Sequence, residues 1–222
     1  MSSFAFVFPG QGSQAVGMLD AWGDHPAVRQ TLAEASAALG EDLGALIHAG
    51  PKEQLDLTTN TQPVMLAAGV ACYRAWLAEG GAVPAAVAGH SLGEYSALVA
   101  AGSLSLADAL PLVRLRAQAM QEAVPVGVGA MAAILGLEAE AVRAGCADAA
   151  VASGEVVEAV NFNDPKQTVI AGSKAGVAAA CELLKARGAK RALPLPVSAP
   201  FHSSLMKPAA EKLKLRLAEV AV

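Results

Sequence analysis

The sequence predicts a mixed α/β protein made of one large domain and a smaller insert. Its 222 residues are long for one domain by the rough rule of ~100–200 residues per domain. A strand–turn–helix pattern spans Ala82–Ala101, and from Gly127 to Val197 the elements follow the order βαββαβ. That order is the ferredoxin-like unit. We therefore expect a large domain at 1–126 and 198–222 and a ferredoxin-like subdomain at 127–197.

The large domain is expected to contain two short strands, Phe4–Phe8 and Ala82–Gly89, each ended or preceded by glycine or proline. Ser105 and Asp108 form a capping box, while Pro111 predicts a kink or a later helix start. Apolar residues at helical spacing predict helices at 26–39, Gln62–Glu79, Leu92–Ala101, from Ser105 to about Ala123, and Leu205–Val222. A doubly wound domain normally continues beyond such a last helix, so we expect a truncated chain.

The insert is expected to hold four strands and two helices. A turn at Asn163-Asp164-Pro165 joins its two central strands. The strands are predicted at Gly129–Leu137, Val156–Phe162, Gln167–Ala171 and Lys190–Val197, and the helices at Glu138–Ala150 and Lys174–Arg187.

Composition and charge exclude several classes of protein. The 54% apolar content fills a core, and the net charge of −4 argues against a nucleic-acid binder. No stretch reaches the ~18 apolar residues that a membrane span needs, and the start lacks the basic region of a signal peptide. Three scattered cysteines, Cys72, Cys146 and Cys181, indicate reduced, buried thiols in the cytoplasm and neither a disulfide frame nor a zinc site.

The most specific motif is Gly89-His90-Ser91-Leu92-Gly93, a G-x-S-x-G between a predicted strand and helix. A nucleophile on such a turn needs small residues on both sides, because the backbones approach closely. Ser91 would lie at a helix N-terminus, where N–H groups stabilise developing negative charge. The alternative is a serine that caps the helix beside two turn glycines.

A nucleophilic serine requires a base, and the chain has four histidines. His90 adjoins Ser91, so its side chain should diverge, while His25 precedes a helix and His48 a glycine-proline loop. His202 lies in a loop before the last helix, where a scaffold could present it. We select His202 by elimination, against the alternative of a solvated or capping histidine.

Two further features could complete a site. Gly10-x-Gly12-x-x-Ala15 resembles a dinucleotide fingerprint, but the required second strand is replaced by a helical pattern, so we favour an oxyanion loop near Ser91. Arg116 has apolar neighbours at helical spacing, which predicts a carboxylate ligand or an internal salt bridge. Arg114 is expected to be better placed for water.

In combination the motifs resemble the malonyl-CoA:acyl-carrier-protein transacylases of bacterial fatty-acid synthesis. The matching segments run from residue 4 to about 213 and read FPGQGSQ, GHSLGEYSALVAAG, RAQAMQEAVP, GAMAAILGL, NFN, VIAG, KRALPLPVS and FHSSLMKPAAEKL. Members of this family have a hydrolase-like α/β domain with a ferredoxin-like insert. They also continue past residue 222, which agrees with the expected truncation. The resemblance implies that the backbone carbonyl that orients the histidine in the family lies in this later segment and is absent from the 222 residues.

The resemblance implies a role for each candidate residue. Ser91 would be the acylated nucleophile and His202 its base, while Gln11 and Leu92 would supply the oxyanion-hole N–H groups. Arg116 would bind the malonyl carboxylate. In related acyltransferase domains, a phenylalanine just before the histidine, as at Phe201, accompanies specificity for malonyl rather than methylmalonyl. The expected partners are malonyl-CoA and acyl carrier protein, without nucleic acid, membrane, metal or bound cofactor, and the expected state is a cytoplasmic monomer.

Two other functions stay open at this stage. A serine hydrolase would complete a triad with an acid such as Asp164. An inactive module would only dock the carrier protein.

Overall fold

The computed structural model describes residues 3–197 and 199–220. The chain divides into two compact units, one formed by residues 1–118 with 215–222 and the other by residues 119–214. Ser198, the predicted return point to the large domain, lies outside the described residues, as do the last two residues of the predicted final helix.

The first unit contains a parallel strand pair and most of the helices. Its strands, β1 (Ala5–Phe8) and β2 (Ala86–Gly89), pair so that Phe8 lies beside Gly89. Its helices are α1 (Pro26–Leu39), α2 (Leu43–Ala49), α3 (Lys52–Leu55), α4 (Thr58–Ala78), α5 (Gly93–Ala100) and α6 (Leu106–Glu122). The last turn of α6, from Ala119 onward, belongs to the second unit. Phe8, Tyr73 and Ala97 are the buried residues of the core that joins β1, α4 and α5.

Helix boundaries in this unit depart from the predicted ones. Helix α4 begins four residues before the expected Gln62, and Pro63 lies within it. The Thr61 hydroxyl, which donates to the carbonyl of Leu55 at 2.6 Å, secures this early start. The serine half of the capping box of α6 is confirmed, because Asp108 N–H donates to Ser105 Oγ at 3.0 Å, while the Asp108 carboxylate accepts from the Ser105 hydroxyl at 2.6 Å. The later start considered for α6 is wrong, since the helix runs through Pro111.

The second unit is an antiparallel sheet of four strands with two helices. In chain order its elements are β3 (Gly129–Leu135), α7 (Ala139–Ser153), β4 (Val157–Asp164), β5 (Gln167–Ser173), α8 (Lys174–Ala186) and β6 (Arg191–Pro194). The strands lie in the order β4-β5-β3-β6. Both faces of the sheet are buried at β5, where successive side chains point to opposite faces. Ile170 packs into the hydrophobic cluster that includes residues of α7 and α8. Val169 and Ala171 pack into a second hydrophobic cluster that includes Phe201.

Several predicted boundaries in the second unit are wrong, among them the following. Strand β4 continues through Asp164, so the hairpin turn is Pro165-Lys166 instead of 163–165. Strand β6 ends at Pro194, three residues before the predicted Val197, although the Leu195 N–H still donates to the carbonyl of Met131 at 2.9 Å. The last helix, α9 (Lys207–Leu217), begins two residues later than Leu205, after a 3-10 turn at Ser204–Met206, and ends before residue 222.

The three cysteines are free thiols, of which Cys146 and Cys181 are buried and Cys72 is half-buried. Burial raises the pKa of Cys146 to about 12. Within residues 3–197 and 199–220, no helix is long and apolar enough to cross a bilayer. In the same ranges, no three His, Cys, Asp or Glu side chains are grouped to hold a metal ion.

Candidate active site

The turn between β2 and α5 places Ser91 in a left-handed backbone conformation, with φ of 53°. A Cβ atom at Gly89 would lie 1.9 Å from the carbonyl carbon of Gly93, and one at Gly93 would lie 2.3 Å from the carbonyl oxygen of Phe8. Both positions therefore exclude any side chain. Leu92, and not Ser91, is the N-cap residue of α5, so Ser91 precedes the cap.

The Ser91 hydroxyl contacts the guanidinium of Arg116, which lies on α6. Arg116 Nη2 donates to Ser91 Oγ at 3.0 Å, and Nη1 donates to Oε1 of Gln62 on α4. Gln62 is only 2% exposed, so its amide is a fixed acceptor. Both of these acceptors are neutral, which leaves the positive charge of Arg116 available to an anion.

Arg116 also lies over an aromatic ring, with its Cζ 5.8 Å from the centroid of Tyr95. Burial lowers the pKa of Arg116, while the neighbouring Tyr95 and Glu94 act in the opposite direction. Arginine nevertheless stays protonated at neutral pH. The site therefore holds a permanent, half-buried cation beside a serine hydroxyl.

Arg114, two residues earlier on α6, is in a different environment. Its Nη1 donates to Asn60 Oδ1 at 2.9 Å, and its Nη2 forms an ion pair with Glu41. The expectation that Arg114 is better placed for water than Arg116 stays a prediction; its side chain is 15% exposed, and both of its partners lie more than 50 positions earlier in the chain. No ion pair among the described residues includes Arg116, so the salt-bridge alternative applies to Arg114 instead.

The loop after β1 lies against the Ser91 turn. A Cβ atom at Gly10 would lie 2.8 Å from the carbonyl oxygen of His90, and the Gln11 amide donates to Thr58 Oγ1 at 3.0 Å. Within the described part of the chain, no backbone hydrogen bond takes the N–H of Gln11 or of Leu92. Both N–H groups can therefore donate to an oxyanion.

His202 belongs to the second unit, where it occupies an exposed turn with φ of 67°. Its neighbours Phe201 and Ser203 are buried, at 8% and 5% exposure. Across residues 3–197 and 199–220, Ser91 and His202 are the two non-glycine residues with positive φ. Such backbone strain is concentrated at functional sites.

The other candidates have structural contacts of their own. His25 lies 3.0 Å from Glu79 and His48 lies 2.7 Å from Asp20, which raises the pKa of His48. Asp164 lies at the exposed end of the β4–β5 hairpin, where its carboxylate accepts the N–H of Lys166 at 3.0 Å.

The first unit thus brings Ser91, Arg116, Leu92 and the loop of Gln11 together. Sequence reasoning missed Gln62, because its contact with Arg116 joins residues 54 positions apart. The available signal was a polar side chain immediately before an apolar helical run, since a buried polar side chain requires a partner.

Comparison with known proteins gives concordant matches. A profile of the acyl transferase domain matches residues 5–222. The malonyl CoA-acyl carrier protein transacylase of Escherichia coli K12 is 59% identical over 221 residues, which cover 99% of this chain and 71% of that protein. The corresponding protein of Bacillus subtilis is 52% identical over 215 residues, or 96% of this chain and 67% of the relative.

Solved structures agree. The acyl-carrier-protein S-malonyltransferase of Burkholderia pseudomallei 1710b superposes with a TM-score of 0.96 at 68% identity, covering all of this chain and 71% of that one. A malonyl-transacylase in complex with a type II PKS acyl-carrier protein gives 0.95 at 54% identity, covering 99% and 71%. The α/β fold described above is therefore shared with known malonyltransferases.

Proposed function

Since the chain belongs to the acyl transferase domain family, we propose that it transfers malonyl from malonyl-CoA to acyl carrier protein. The acceptor is the phosphopantetheine thiol of the carrier, and the product serves fatty-acid synthesis. Relatives named malonyl CoA-acyl carrier protein transacylase support this activity. The observation that carries it is the contact of Arg116 with Ser91, because it sets a cation without an ion-pair partner among the described residues beside a strained serine.

The proposed reaction has two half-reactions. The Ser91 hydroxyl attacks the thioester carbonyl while His202 accepts its proton, and the proton passes to coenzyme A as the carbon–sulfur bond breaks. The carrier thiol then gives its proton to His202 and attacks the carbonyl of malonyl-Ser91. The bond between that carbon and Ser91 Oγ breaks, and His202 returns the proton to Oγ. The N–H groups of Leu92 and Gln11 stabilise the oxyanion that forms in each half-reaction.

Arg116 is proposed to select the acyl group. A guanidinium binds a carboxylate through two parallel hydrogen bonds, and the malonyl carboxylate is the feature that acetyl lacks. In the free protein, Arg116 Nη2 is held at Ser91 Oγ, where the acyl group would be attached. Phe201, which is buried, is proposed to favour malonyl over methylmalonyl.

The finer architecture also belongs to the proposal. A hydrolase-like domain is supported by the parallel pair β1–β2 and by the turn at Ser91, and a ferredoxin-like subdomain by the strand order β4-β5-β3-β6. The division at residues 1–126 with 198–222 and 127–197 stays a prediction. We likewise propose that the protein needs no metal or bound cofactor and acts as a monomer in the cytoplasm.

Intact-mass analysis after incubation with malonyl-CoA tests the proposed function. We expect a malonyl adduct on the parent protein and on Ser103→Ala, an exposed serine of the same unit, but none on Ser91→Ala. Addition of phosphopantetheinylated carrier protein should move the malonyl group to the carrier. Release of free malonate at the same rate would indicate the hydrolase instead, and carrier binding without any adduct would indicate a docking module.

A further inference from the structure

The backbone of His202 requires support from its surroundings. Its φ of 67° is one that a residue with a Cβ atom rarely adopts, so it persists only where neighbouring groups hold it. On one side, Phe201 is buried and its N–H donates to the carbonyl of Ala199 at 3.0 Å. On the other side, the Ser203 hydroxyl donates to the carbonyl of Pro200 at 2.7 Å. These hydrogen bonds close within the loop, so they do not fix the loop to the sheet.

Glu158 makes a connection of a different kind. Its Oε2 accepts the backbone N–H of Ser204 at 2.6 Å, a charge-assisted hydrogen bond between residues 46 positions apart. Glu158 lies on β4, where it is paired with Ala171 of β5. The carboxylate therefore projects from a strand held in the ladder, and its distance from the loop is set by the sheet.

The position of the bonded N–H matters for His202. Ser204 begins the 3-10 turn that follows the histidine by two residues, and Met206 in that turn is buried. The first N–H groups of a helical turn have no partner within the turn, so a carboxylate is well suited to bind one. The Glu158 carboxylate consequently fixes the point at which the strained segment ends.

We propose that Glu158 is a positioning residue for His202, and this inference rests on the proposed function. Glu158 acts by holding the N–H of Ser204, and it contacts neither substrate nor the reacting atoms. Without this hydrogen bond, the segment at His202 can relax toward an ordinary backbone conformation. The imidazole then spends less time where it can accept the proton of Ser91.

Substitutions at Glu158 separate this role from a general contribution to folding. Glu158→Gln retains an oxygen that can accept the same N–H, whereas Glu158→Asp keeps the charge on a side chain one methylene shorter. We expect the rate of Ser91 malonylation to fall about 10- to 100-fold in Glu158→Asp and Glu158→Ala, since a misplacement near 1 Å has effects of that size. Glu158→Gln should stay within about threefold of the parent, because the neutral hydrogen bond keeps the same geometry.

The control is Glu155→Gln, an exposed carboxylate in the same unit, which should leave the rate unchanged. The KM for malonyl-CoA should stay within about twofold in every variant, because the proposed carboxylate ligand Arg116 is untouched. A loss in Glu158→Gln as large as in Glu158→Ala, or a loss carried by KM instead of kcat, would overturn the proposal.

A double variant gives the most specific readout. When His202→Ala has already removed the base, Glu158→Ala should lower the remaining rate no further, because residues that act as one unit are not additive. If Glu158→Ala lowers the rate by the same factor with and without His202, Glu158 supports the fold and does not act through the histidine. Glu158→Asp provides the same comparison if the alanine variant fails to fold.

Labelling of Ser91 by a fluorophosphonate separates failure of this inference from failure of the proposed function. The reagent requires an activated serine but no malonyl group. Absence of a malonyl adduct, or labelling that is unaffected by His202→Ala, would count against the proposed function. Labelling that falls in His202→Ala but not in Glu158→Asp would reject the role of Glu158 alone.

Discussion

Replacement of Arg116 by alanine gives the most direct test of how the site would select malonyl. Removal of one partner of a buried, hydrogen-bonded charge pair costs about 2–5 kcal/mol. At ~1.4 kcal/mol per factor of ten, this corresponds to roughly 30- to 3,000-fold in kcat/KM. Because Arg116 is half-buried and not fully enclosed, we expect a loss toward the lower end, about 30- to 300-fold for malonyl-CoA.

The same substitution should spare acetyl transfer. Acetyl has no carboxylate, and in the variant its methyl group no longer faces a cation, so transfer from acetyl-CoA should hold or rise. Arg116→Lys should restore only part of the malonyl activity, because an ammonium cannot reproduce the planar pair of hydrogen bonds that now reach Gln62 and Ser91. The assay is the ratio of kcat/KM for malonyl-CoA and acetyl-CoA.

A stability measurement separates specificity from folding. Arg116→Ala leaves the buried Gln62 oxygen without this donor, which costs about 1–3 kcal/mol, or roughly 2–12 °C in Tm. Arg114→Ala is the matched control, since it removes a guanidinium from the same helix that already pairs with Glu41. It should lower Tm without a change in the ratio. Equal losses for malonyl and acetyl in Arg116→Ala would refute the reasoning.

Two further substitutions test the surroundings of Ser91. Gln62→Glu should give Arg116 a carboxylate partner that competes with malonyl. The kcat/KM for malonyl-CoA should therefore fall at least about tenfold, while that for acetyl-CoA stays within about twofold. An unchanged ratio of the two kcat/KM values would show that the neutrality of the amide does not matter. Gly89→Ala places a methyl group 1.9 Å from the Gly93 carbonyl carbon and should lower Tm by roughly 5–10 °C or more. Gly44→Ala, whose methyl group would lie 3.4 Å from Asp42 Oδ1, should leave Tm nearly unchanged. Equal Tm values for the two variants would contradict the close approach at the turn.

Most elements of the fold could be predicted because their signals are local. Strand β5 and helices α1 and α8 follow from runs of apolar residues at one period. Helices α2 and α3 were missed, since segments of seven and four residues are too short to show a helical period. The early start of α4 depends on Thr61 reaching a carbonyl six positions away, which periodicity does not register.

The candidate site could be predicted only to the extent that its residues lie in local motifs. Ser91 and Leu92 could be predicted because they lie between Gly89 and Gly93. These two positions must be glycine because their backbones approach closely in the structure. The partners of Arg114 and Arg116 could not be predicted, because Glu41 and Gln62 lie 73 and 54 positions away. The side-chain partner of an isolated cation is a property of tertiary packing.

The contrast between the two arginines of α6 shows what kind of partner a binding cation needs. Arg114 has a carboxylate partner, Glu41, so a second carboxylate would have to displace the first. Arg116 is held by the amide of Gln62, which orients the guanidinium but does not neutralise it. An amide acceptor is therefore compatible with binding of an anionic ligand, whereas a carboxylate would fill the same position. In the proposed reaction, discrimination in favour of malonyl depends as much on the neutrality of Gln62 as on the charge of Arg116.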